Sequence, residues 1–328
     1  MNTTCMLKST NDRTDRTAEI EAKLKENGYC MLDSGVFYVS GINMPANSTL
    51  MGMNGATRVI LTPEKENGYA IKLDSFCTVR DLTVDGSFDE IPHPDAVGER
   101  HGLLFRHTAT TKEWGLEPRN STVSNCVIRY FSGGGITCTD TGYYLNCILA
   151  VSNCHILNCG AGVNITHLSE YHDFTNVVCT ENLYGCINNG GNNTFNACSF
   201  SANEIGFMID NRDGKSPNNS HGTVMGCSFN HCGDNKGIAI LLYGANCGHV
   251  FTGCQVFFGK IIIEDSVSII FNALNFGRQT GIDVKGGGPV MFSNCAFREA
   301  EDTPVTVTQN NALTFTNCYT RDGAVFAP

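Results

Sequence analysis

Two short stretches of the chain, residues 167–173 and 210–221, collect acids, bases and an aromatic side chain, the mixture that sugar-binding sites tend to have. Hydrolysis of a glycosidic bond uses two carboxylates roughly 5–10 Å apart, one as the acid and one as the base or nucleophile. The candidate catalytic residues are the acids of these stretches: Glu170, Asp173, Asp210 and Asp213. The candidate substrate-binding residues are their polar and aromatic neighbours: Tyr171, His172, Arg212 and His221.

Asp210 has a distinctive position because it follows the apolar run Phe207–Ile209. A carboxyl group at the end of a buried strand would be partly buried itself, which would raise its pKa toward use as a general acid. The segment Asp210–Gly214 also fits a plain surface turn, since Asp, Asn and Gly are the preferred turn residues. The sequence leaves both interpretations open.

A third candidate region is a long insertion near residues 86–120, which is rich in acids. It holds Trp114, the only tryptophan, which could stack on a sugar ring as a further substrate-binding residue. The same ring could instead pin the loop to the fold or to a neighbouring subunit. The chain has neither a Cys-x2-Cys nor a His-x3-His pair, so we predict no metal site and no cofactor.

A sequence repeat must position these side chains. Its pattern is a large apolar residue, two small or polar residues, Cys, any residue and a second apolar residue. Clear copies are Val123–Ile128, Val151–Ile156, Phe195–Phe200, Val224–Phe229, Phe251–Val256, Phe292–Phe297 and Phe315–Tyr319. Degenerate copies put Met53, Leu82, Val177 and Ala273 at the Cys position. The shorter intervals between copies are 19 to 23 residues.

A period near 22 residues with short strands and Gly/Asn turns predicts a parallel β-solenoid of about 11 coils. Stacking such coils about 4.8 Å apart buries a continuous core, and Cys suits a narrow inward position. Asn precedes Cys in several copies, where stacked amides can hydrogen-bond along the axis. Aligning the coils places Thr166, Asn189 and Asp210 along one side.

The open end of a solenoid needs a cap, and the segment Thr17–Asn27 predicts one amphipathic helix there. Ile20 and Leu24 share a face four residues apart, and Asp15 or Thr14 could cap the first turn. We therefore expect an N-terminal segment with a capping helix over residues 1–30. Residues 31–328 should form a single β-helix domain with insertions near 86–120, 166–173 and 210–222.

The composition narrows the choice of partners and compartment. Lys and Arg number 22 against 32 Asp and Glu, a formal net charge of −10, which argues against a nucleic-acid partner. Seventeen cysteines, an odd number, predict free thiols in a reducing compartment. No apolar run reaches 18 residues, so no membrane association is expected, and the N-terminus lacks the features of a signal peptide. We expect a protein made in the cytoplasm.

Three N-terminal segments, Arg16–Ile20, Gly35–Val39 and Asn47–Gly52, resemble the signature of the pectate-lyase-like superfamily. That signature consists of an Asp-Asp-Thr-x-x-Ile helix, a G-x-Y strand and an L-x-G coil. The resemblance implies an all-β fold, a right-handed parallel β-helix, in agreement with the repeat.

The middle of the chain resembles β-helix proteins encoded in tail modules of phages and prophages of gut Firmicutes. The similar segments are Tyr184–Asn193, Phe207–Asn211, Ser216–Gly222 and Phe251–Gln255. Phage tailspikes of this fold are typically homotrimers that bind, and often cut, host surface glycans. The resemblance thus implies a polysaccharide or cell-surface glycan, a homotrimer, other phage tail proteins as partners and, for a phage-encoded chain, a place in the virion.

Departures from the superfamily limit the activity that can be inferred. Asp15-Arg16 stands where the superfamily often has Asp-Asp. The Arg-x-Pro-x-x-Arg motif of pectate lyases is missing, as are the Asn-Thr-Asp and Gly-His-Gly motifs of polygalacturonases, and a fold does not determine chemistry.

Three functions remain open. The first is a phage tailspike-like receptor-binding protein that recognises a host surface glycan, with or without cleaving it. The second is a free gut-bacterial enzyme: a glycoside hydrolase or polysaccharide lyase using paired carboxylates, an epimerase or a fructan-transforming enzyme. The third is a purely structural β-helix.

Overall fold

The computed structural model describes residues 5–10, 12–62, 67–87, 96–106, 119–139, 146–212, 221–233, 237–298, 304–309 and 312–326. Two of the predicted site residues, Trp114 and Asp213, lie outside these ranges, as does most of the insertion near 86–120. The chain forms two compact units, Met1–Asn164 and Ile165–Pro328.

The first unit contains a helix and a series of short strands. The helix is α1, Thr17–Asn27. The strands are β1 Met6–Leu7, β2 Tyr29–Leu32, β3 Gly35–Val39, β4 Ile42–Asn43, β5 Thr49–Met51, β6 Thr57–Leu61, β7 Gly68–Leu73, β8 Thr78–Arg80, β9 Thr83–Asp85, β10 Arg100–Arg106, β11 Arg119–Ser124, β12 Val127–Arg129, β13 Gly134–Thr139, β14 Asn146–Ser152, β15 His155–Leu157 and β16 Ala161–Ile165, whose last residue belongs to the second unit.

The second unit consists of strands of the same length. They are β17 Ser169–Glu170, β18 Asp173–Thr175, β19 Val178–Thr180, β20 Tyr184–Asn188, β21 Asn193–Asn196, β22 Ser199–Ser201, β23 Ile205–Asp210, β24 Gly222–Met225, β25 Ser228–Asn230, β26 Ile238–Tyr243, β27 His249–Thr252, β28 Gln255–Phe257, β29 Gly259–Glu264, β30 Ile269–Asn272, β31 Asn275–Phe276, β32 Thr280–Lys285, β33 Val290–Ser293, β34 Ala296–Phe297, β35 Val305–Thr308, β36 Leu313–Thr316 and β37 Tyr319–Thr320.

Each unit arranges its strands in three parallel sheets, and every third strand along the chain is a neighbour in the same sheet. In the second unit, sheet 1 contains β18, β21, β24, β27, β30, β33 and β36; sheet 2 contains β20, β23, β26, β29, β32 and β35; sheet 3 contains β19, β22, β25, β28, β31, β34 and β37. The first unit repeats the pattern, with β9 and β12 adjacent in sheet 3. The fold is the predicted right-handed parallel β-helix.

The helix α1 has the predicted bounds and buries the predicted face. Ile20 and Leu24 are buried, and Gly28 ends the helix in the left-handed conformation at φ 66°. Asp15 Oδ1 accepts the N–H of Thr17 at 2.8 Å, which satisfies one orphan donor of the first turn. Among the described residues, no helix is long and apolar enough to cross a membrane.

Stacked phenylalanines fill the core of the second unit. Phe251 and Phe271 stack at 5.0 Å between centroids, Phe271 and Phe292 at 4.6 Å, and Phe292 and Phe315 at 5.0 Å. These rings occupy the first apolar position of the repeat in successive coils of sheet 1. Because the registers pair them directly, each coil buries its ring against the next one.

The cysteines act as small buried side chains. The cysteines whose side chains the structure describes form no disulfides, and most of them are buried. Burial raises the pKa of Cys30 and Cys232 to about 12, so these thiols stay protonated and unreactive at neutral pH. One repeat assignment was wrong by a residue: Phe271 pairs with Phe251, so Leu274 and not Ala273 takes the inward position opposite Cys254.

The residue before the inward Cys has a backbone reason for its identity. Asn125, Asn153, Asn294 and Asn317 all have φ between 52° and 55°. Asn tolerates this left-handed conformation, which turns the chain from sheet 1 into sheet 3. The expected amide stacking also occurs in part, since Asn317 Nδ2 donates to Asn294 Oδ1 at 3.5 Å.

Candidate functional site

A row of polar side chains of the second unit lies at the C-terminal edge of sheet 2. Here the registers align Asp210 with Tyr243, Tyr243 with Glu264, and Glu264 with Lys285 on four successive strands, β23, β26, β29 and β32. All four side chains are at least partly exposed. We call these residues, with Arg212, the polar ridge.

The predicted alignment of Thr166, Asn189 and Asp210 is confirmed. The N–H of Asn189 donates to Ile165 O at 2.9 Å, which sets Asn189 beside Thr166. The N–H of Asp210 then donates to Asn189 Oδ1, also at 2.9 Å. Asn189 thereby fixes the backbone at the start of the ridge.

Asp210 is held by its neighbour two residues on. Its Oδ1 accepts from Arg212 Nε at 2.8 Å and from the Arg212 N–H at 3.1 Å, and its Oδ2 accepts from Arg212 Nη2. The carboxylate in turn raises the pKa of Arg212. The hydrogen bond from the Arg212 N–H to Asp210 Oδ1 forms an Asx turn, as the interpretation of this segment as a surface turn predicts. The same two residues therefore form both the turn and the start of the ridge.

This environment differs from the one expected for a general acid. The Asp210 side chain is 24% exposed, and its donors are a guanidinium and an N–H. Such donors stabilise a carboxylate anion and disfavour its protonated form. Asp210 is therefore placed to accept hydrogen bonds.

Tyr243 and Glu264 extend the ridge beyond the residues found from sequence. The guanidinium carbon of Arg212 lies 4.1 Å from the centroid of the Tyr243 ring, a cation–π contact. Glu264 Oε1 accepts from Lys285 Nζ at 2.8 Å, which raises the pKa of Lys285. The signal was present in the sequence: like Asp210, Tyr243 and Glu264 each end an apolar run.

The ridge contains a pair of carboxylates with a ring between them. Asp210 and Glu264 lie two strands apart, with Tyr243 on the intervening strand. Because neighbouring strands are about 4.8 Å apart, the two backbone positions are about 10 Å apart. That is close to the upper limit for the carboxyl groups of inverting glycosidases.

The other predicted stretch does not join the ridge, because half of it points inward. His172 is 1% exposed, and burial lowers its pKa to about 3, so its ring is neutral at pH 7. Glu170 is 6% exposed, and its Oε2 accepts from Asn192 Nδ2 at 3.2 Å. Neither side chain is available to a polymer at the surface.

Tyr171, Asp173 and His221, the other predicted residues outside the ridge, are exposed or half-buried. Tyr171 is 54% exposed in the left-handed conformation, φ 60°. Asp173 is exposed at the first residue of β18 and accepts from Thr175 Oγ1 at 3.3 Å. The half-buried ring of His221 lies over Gly191, where an added Cβ would be 2.7 Å from its Cε1.

Of the predicted residues that the structure describes, Asp210 and Arg212 belong to the polar ridge, and Glu170, Tyr171 and His221 meet around Gly191. His172 and Asp173 occupy other surroundings. In the part of the chain that the structure describes, no group of three or more His, Cys, Asp or Glu side chains could hold a metal ion.

Comparison with known proteins identifies structures with the same fold but no related sequence family. No protein-family model matches the sequence. No curated protein matches it well enough to count as a relative. Solved structures do match, and the three described next are 13 or 14% identical to this chain.

Three of these structures are a phage tailspike and two enzymes that are named for polysaccharides. Tailspike protein 2 of an Escherichia coli bacteriophage has a TM-score of 0.60 and 14% identity, over 94% of this chain and 41% of that one. The catalytic unit of an α-1,3-glucanase from Streptomyces thermodiastaticus has a TM-score of 0.61 and 13% identity. The match covers 98% of this chain and 68% of the glucanase unit. The A-module of a mannuronan C-5 epimerase from Azotobacter vinelandii has a TM-score of 0.53 and 14% identity. The match covers 98% of this chain and 97% of the module.

These matches extend over nearly the whole of this chain and agree with its fold, a right-handed parallel β-helix. The chain spans less than half the length of the tailspike. At such identities the likeness concerns architecture, and the chemistry has to be argued from the residues.

Proposed function

We propose that this protein is a glycan-binding β-helix of the tailspike type, which holds a host polysaccharide along the polar ridge of its second unit. The observation that carries the proposal is the row formed by Asp210, Tyr243, Glu264 and Lys285 on successive strands. A row of donors, acceptors and a ring at a regular spacing suits a ligand that is itself a repeating polymer of hydroxyl groups.

The ring and the charges have complementary roles in this proposal. Tyr243 offers an apolar face with a polar tip, which suits a sugar ring. Arg212 fixes that ring by stacking at 4.1 Å, so little side-chain freedom is lost when a ligand binds. Asp210 and Glu264 present carboxylate oxygens, which are the kind of acceptor that sugar hydroxyls donate to.

The pairing of both carboxylates favours binding over hydrolysis. Asp210 accepts from Arg212, and Glu264 accepts from Lys285. A hydrolase needs one carboxyl group that stays protonated until it meets the leaving oxygen, and an apolar pocket is the usual means. Neither ridge carboxylate lies in such a pocket.

A binding assay against a panel of Firmicutes cell-wall and dietary glycans tests the proposal. Tyr243→Leu and Asp210→Asn should each weaken retention of the bound glycan by about 10-fold or more. Asp74→Asn is the matched control, because Asp74 is an exposed aspartate that directly follows β7, a strand of sheet 2 in the first unit. Retention unchanged in both ridge variants would contradict the proposal.

Hydrolysis by the same ridge is the second candidate, favoured by the spacing of Asp210 and Glu264. Mass spectrometry of the glycans after incubation separates the two functions. Fragments that have gained a water molecule would show hydrolysis and not binding alone, provided that the Glu264→Gln variant no longer produces them. Fragments with an unsaturated end would indicate a lyase.

The assembly is part of the proposal. A tailspike-type protein would be a homotrimer attached to other tail proteins and carried by the virion. Light scattering after size-exclusion chromatography should give three times the 35.5 kDa mass of one chain. A monomer at micromolar concentration would favour a free enzyme over a tailspike.

A further inference from the structure

A second site candidate lies on sheet 3 of the second unit, where β28, β31, β34 and β37 end. A cleft of about 680 Å³ opens there, which is the size of a small-molecule pocket. Its lining combines the phenylalanines of the strand ends with Arg278, Arg298 and Arg321. No Asp or Glu is among the described residues that line it.

The repeat itself builds the cleft. Extending the sheet 3 registers by one residue sets Phe257, Gly277, Arg298 and Arg321 on four successive coils. Gly277 offers no side chain, and the Phe257 ring lies over it: an added Cβ would meet Phe257 Cδ1 at 1.8 Å. The ring forms one wall, and the guanidiniums follow on the next coils.

The charge of the cleft is unusual for this protein. The chain has a net charge of −10, yet three arginines line this cleft. Elsewhere Arg58 and Arg129 both pair with a carboxylate. Arg278 and Arg321 are exposed, and neither forms an ion pair within the described residues.

We infer that this cleft binds the oxyanion of an acidic sugar residue, either a carboxylate or a phosphate, with the sugar ring against Phe257. Guanidinium groups present paired N–H donors that match the two oxygens of such an anion. The part of the inference that concerns a sugar rests on the proposed function. Anion binding by the arginines does not.

Calorimetric titration of the full chain at low salt tests the inference with three probes: a trigalacturonate, an oligomer of glycerol phosphate and a neutral galactose trisaccharide. The wild type should bind at least one of the two acidic probes, and the probe that binds better identifies the anion. The double variant Arg278→Gln/Arg321→Gln should lose about 10-fold in affinity for each arginine. Binding should also weaken as salt rises, because the pairing is electrostatic.

Two further variants separate the contributions. Arg106→Gln removes an exposed arginine of the first unit and should leave the affinity unchanged. Phe257→Leu should weaken binding of the acidic saccharide while leaving binding of inorganic phosphate at the cleft intact. Thermal unfolding checks that each variant is folded.

The result that overturns the inference is clear: neither acidic probe binds, or the double variant binds as tightly as the wild type. Glycan binding at the polar ridge can be refuted independently of anion binding at the cleft. If Tyr243→Leu and Asp210→Asn retain every glycan while the double variant loses the acidic probe, the cleft stands and the proposed ridge does not. If the ridge variants alone lose binding, the reverse holds.

Discussion

Asp85 and Asp210 start from the same local sequence pattern and end in opposite surroundings. Each ends a short strand, β9 or β23, and each accepts from an arginine. Asp85 Oδ2 accepts from Arg58 Nε at 2.9 Å and from Arg129 Nε at 2.7 Å, and its side chain is fully buried. Asp210 accepts from the guanidinium of Arg212, and 24% of its side chain is exposed.

The difference comes from the neighbouring coils and not from the aspartates themselves. In the first unit, one long arginine covers Asp85 from each side, and Ser87 N–H donates to the remaining oxygen at 2.8 Å. In the second unit, Asn189 and Tyr243 flank Asp210, so the carboxylate stays accessible. In a solenoid, the coils before and after a residue decide whether its charge supports the fold or meets a ligand.

The largest expected effect is on stability at Asp85. Asp85→Asn should lower the free energy of unfolding by about 3 kcal/mol, because it leaves two guanidiniums against a neutral amide in a buried site. Urea denaturation followed by circular dichroism measures the change. A loss no larger than that of Asp210→Asn would remove the contrast between the two sites.

The second largest effect is the pH dependence of stability that the buried His172 ring causes. His172 has a pKa of about 3 in the folded chain, against about 6.5 in an unfolded one. Between these values the unfolded state takes up a proton that the folded state does not, so stability decreases as the pH falls. The loss from pH 7 to pH 5 should be about 2 kcal/mol.

Substitution isolates this contribution. His172→Gln removes the titrating group, so the pH dependence of its unfolding between pH 7 and pH 5 should be flatter than that of the wild type. Equal slopes for the two chains would show that His172 is exposed to solvent protons in the folded state.

The smallest effect on stability is expected at Asp210. Asp210→Asn should change the free energy of unfolding by less than about 1 kcal/mol, because the ion pair that it breaks is largely solvated. The same variant should lose glycan binding, as proposed above. A loss of stability comparable to that of Asp85→Asn would mean that Asp210 is a structural residue.

The sequence predicted the architecture well, because the fold depends on local repetition. The bounds of α1, the inward cysteines and the alignment of Asn189 with Asp210 all followed from spacing. The error at Ala273 arose where the repeat lacks its Cys, since only the paired phenylalanines define the register there.

The candidate site was predicted less well because it depends on contacts between coils. Residue types alone grouped His172 and Glu170 with Asp210, although alternation along the chain turns both of them inward. Tyr243 and Glu264 were missed because they lie 33 and 54 positions after Asp210 in the sequence. Only the strand registers show that the three are neighbours on successive strands.

The direct pairing of Phe251 with Phe271 has a consequence for how such a gene can change. Removing residues 251–270 would join Val250 to Phe271 and give each remaining strand a partner with the same inward pattern. One recombination event can therefore add or remove a complete coil without disturbing the rest. We expect homologous genes to differ in length by steps of about 20 codons, with the ridge and the cleft lengthened or shortened accordingly.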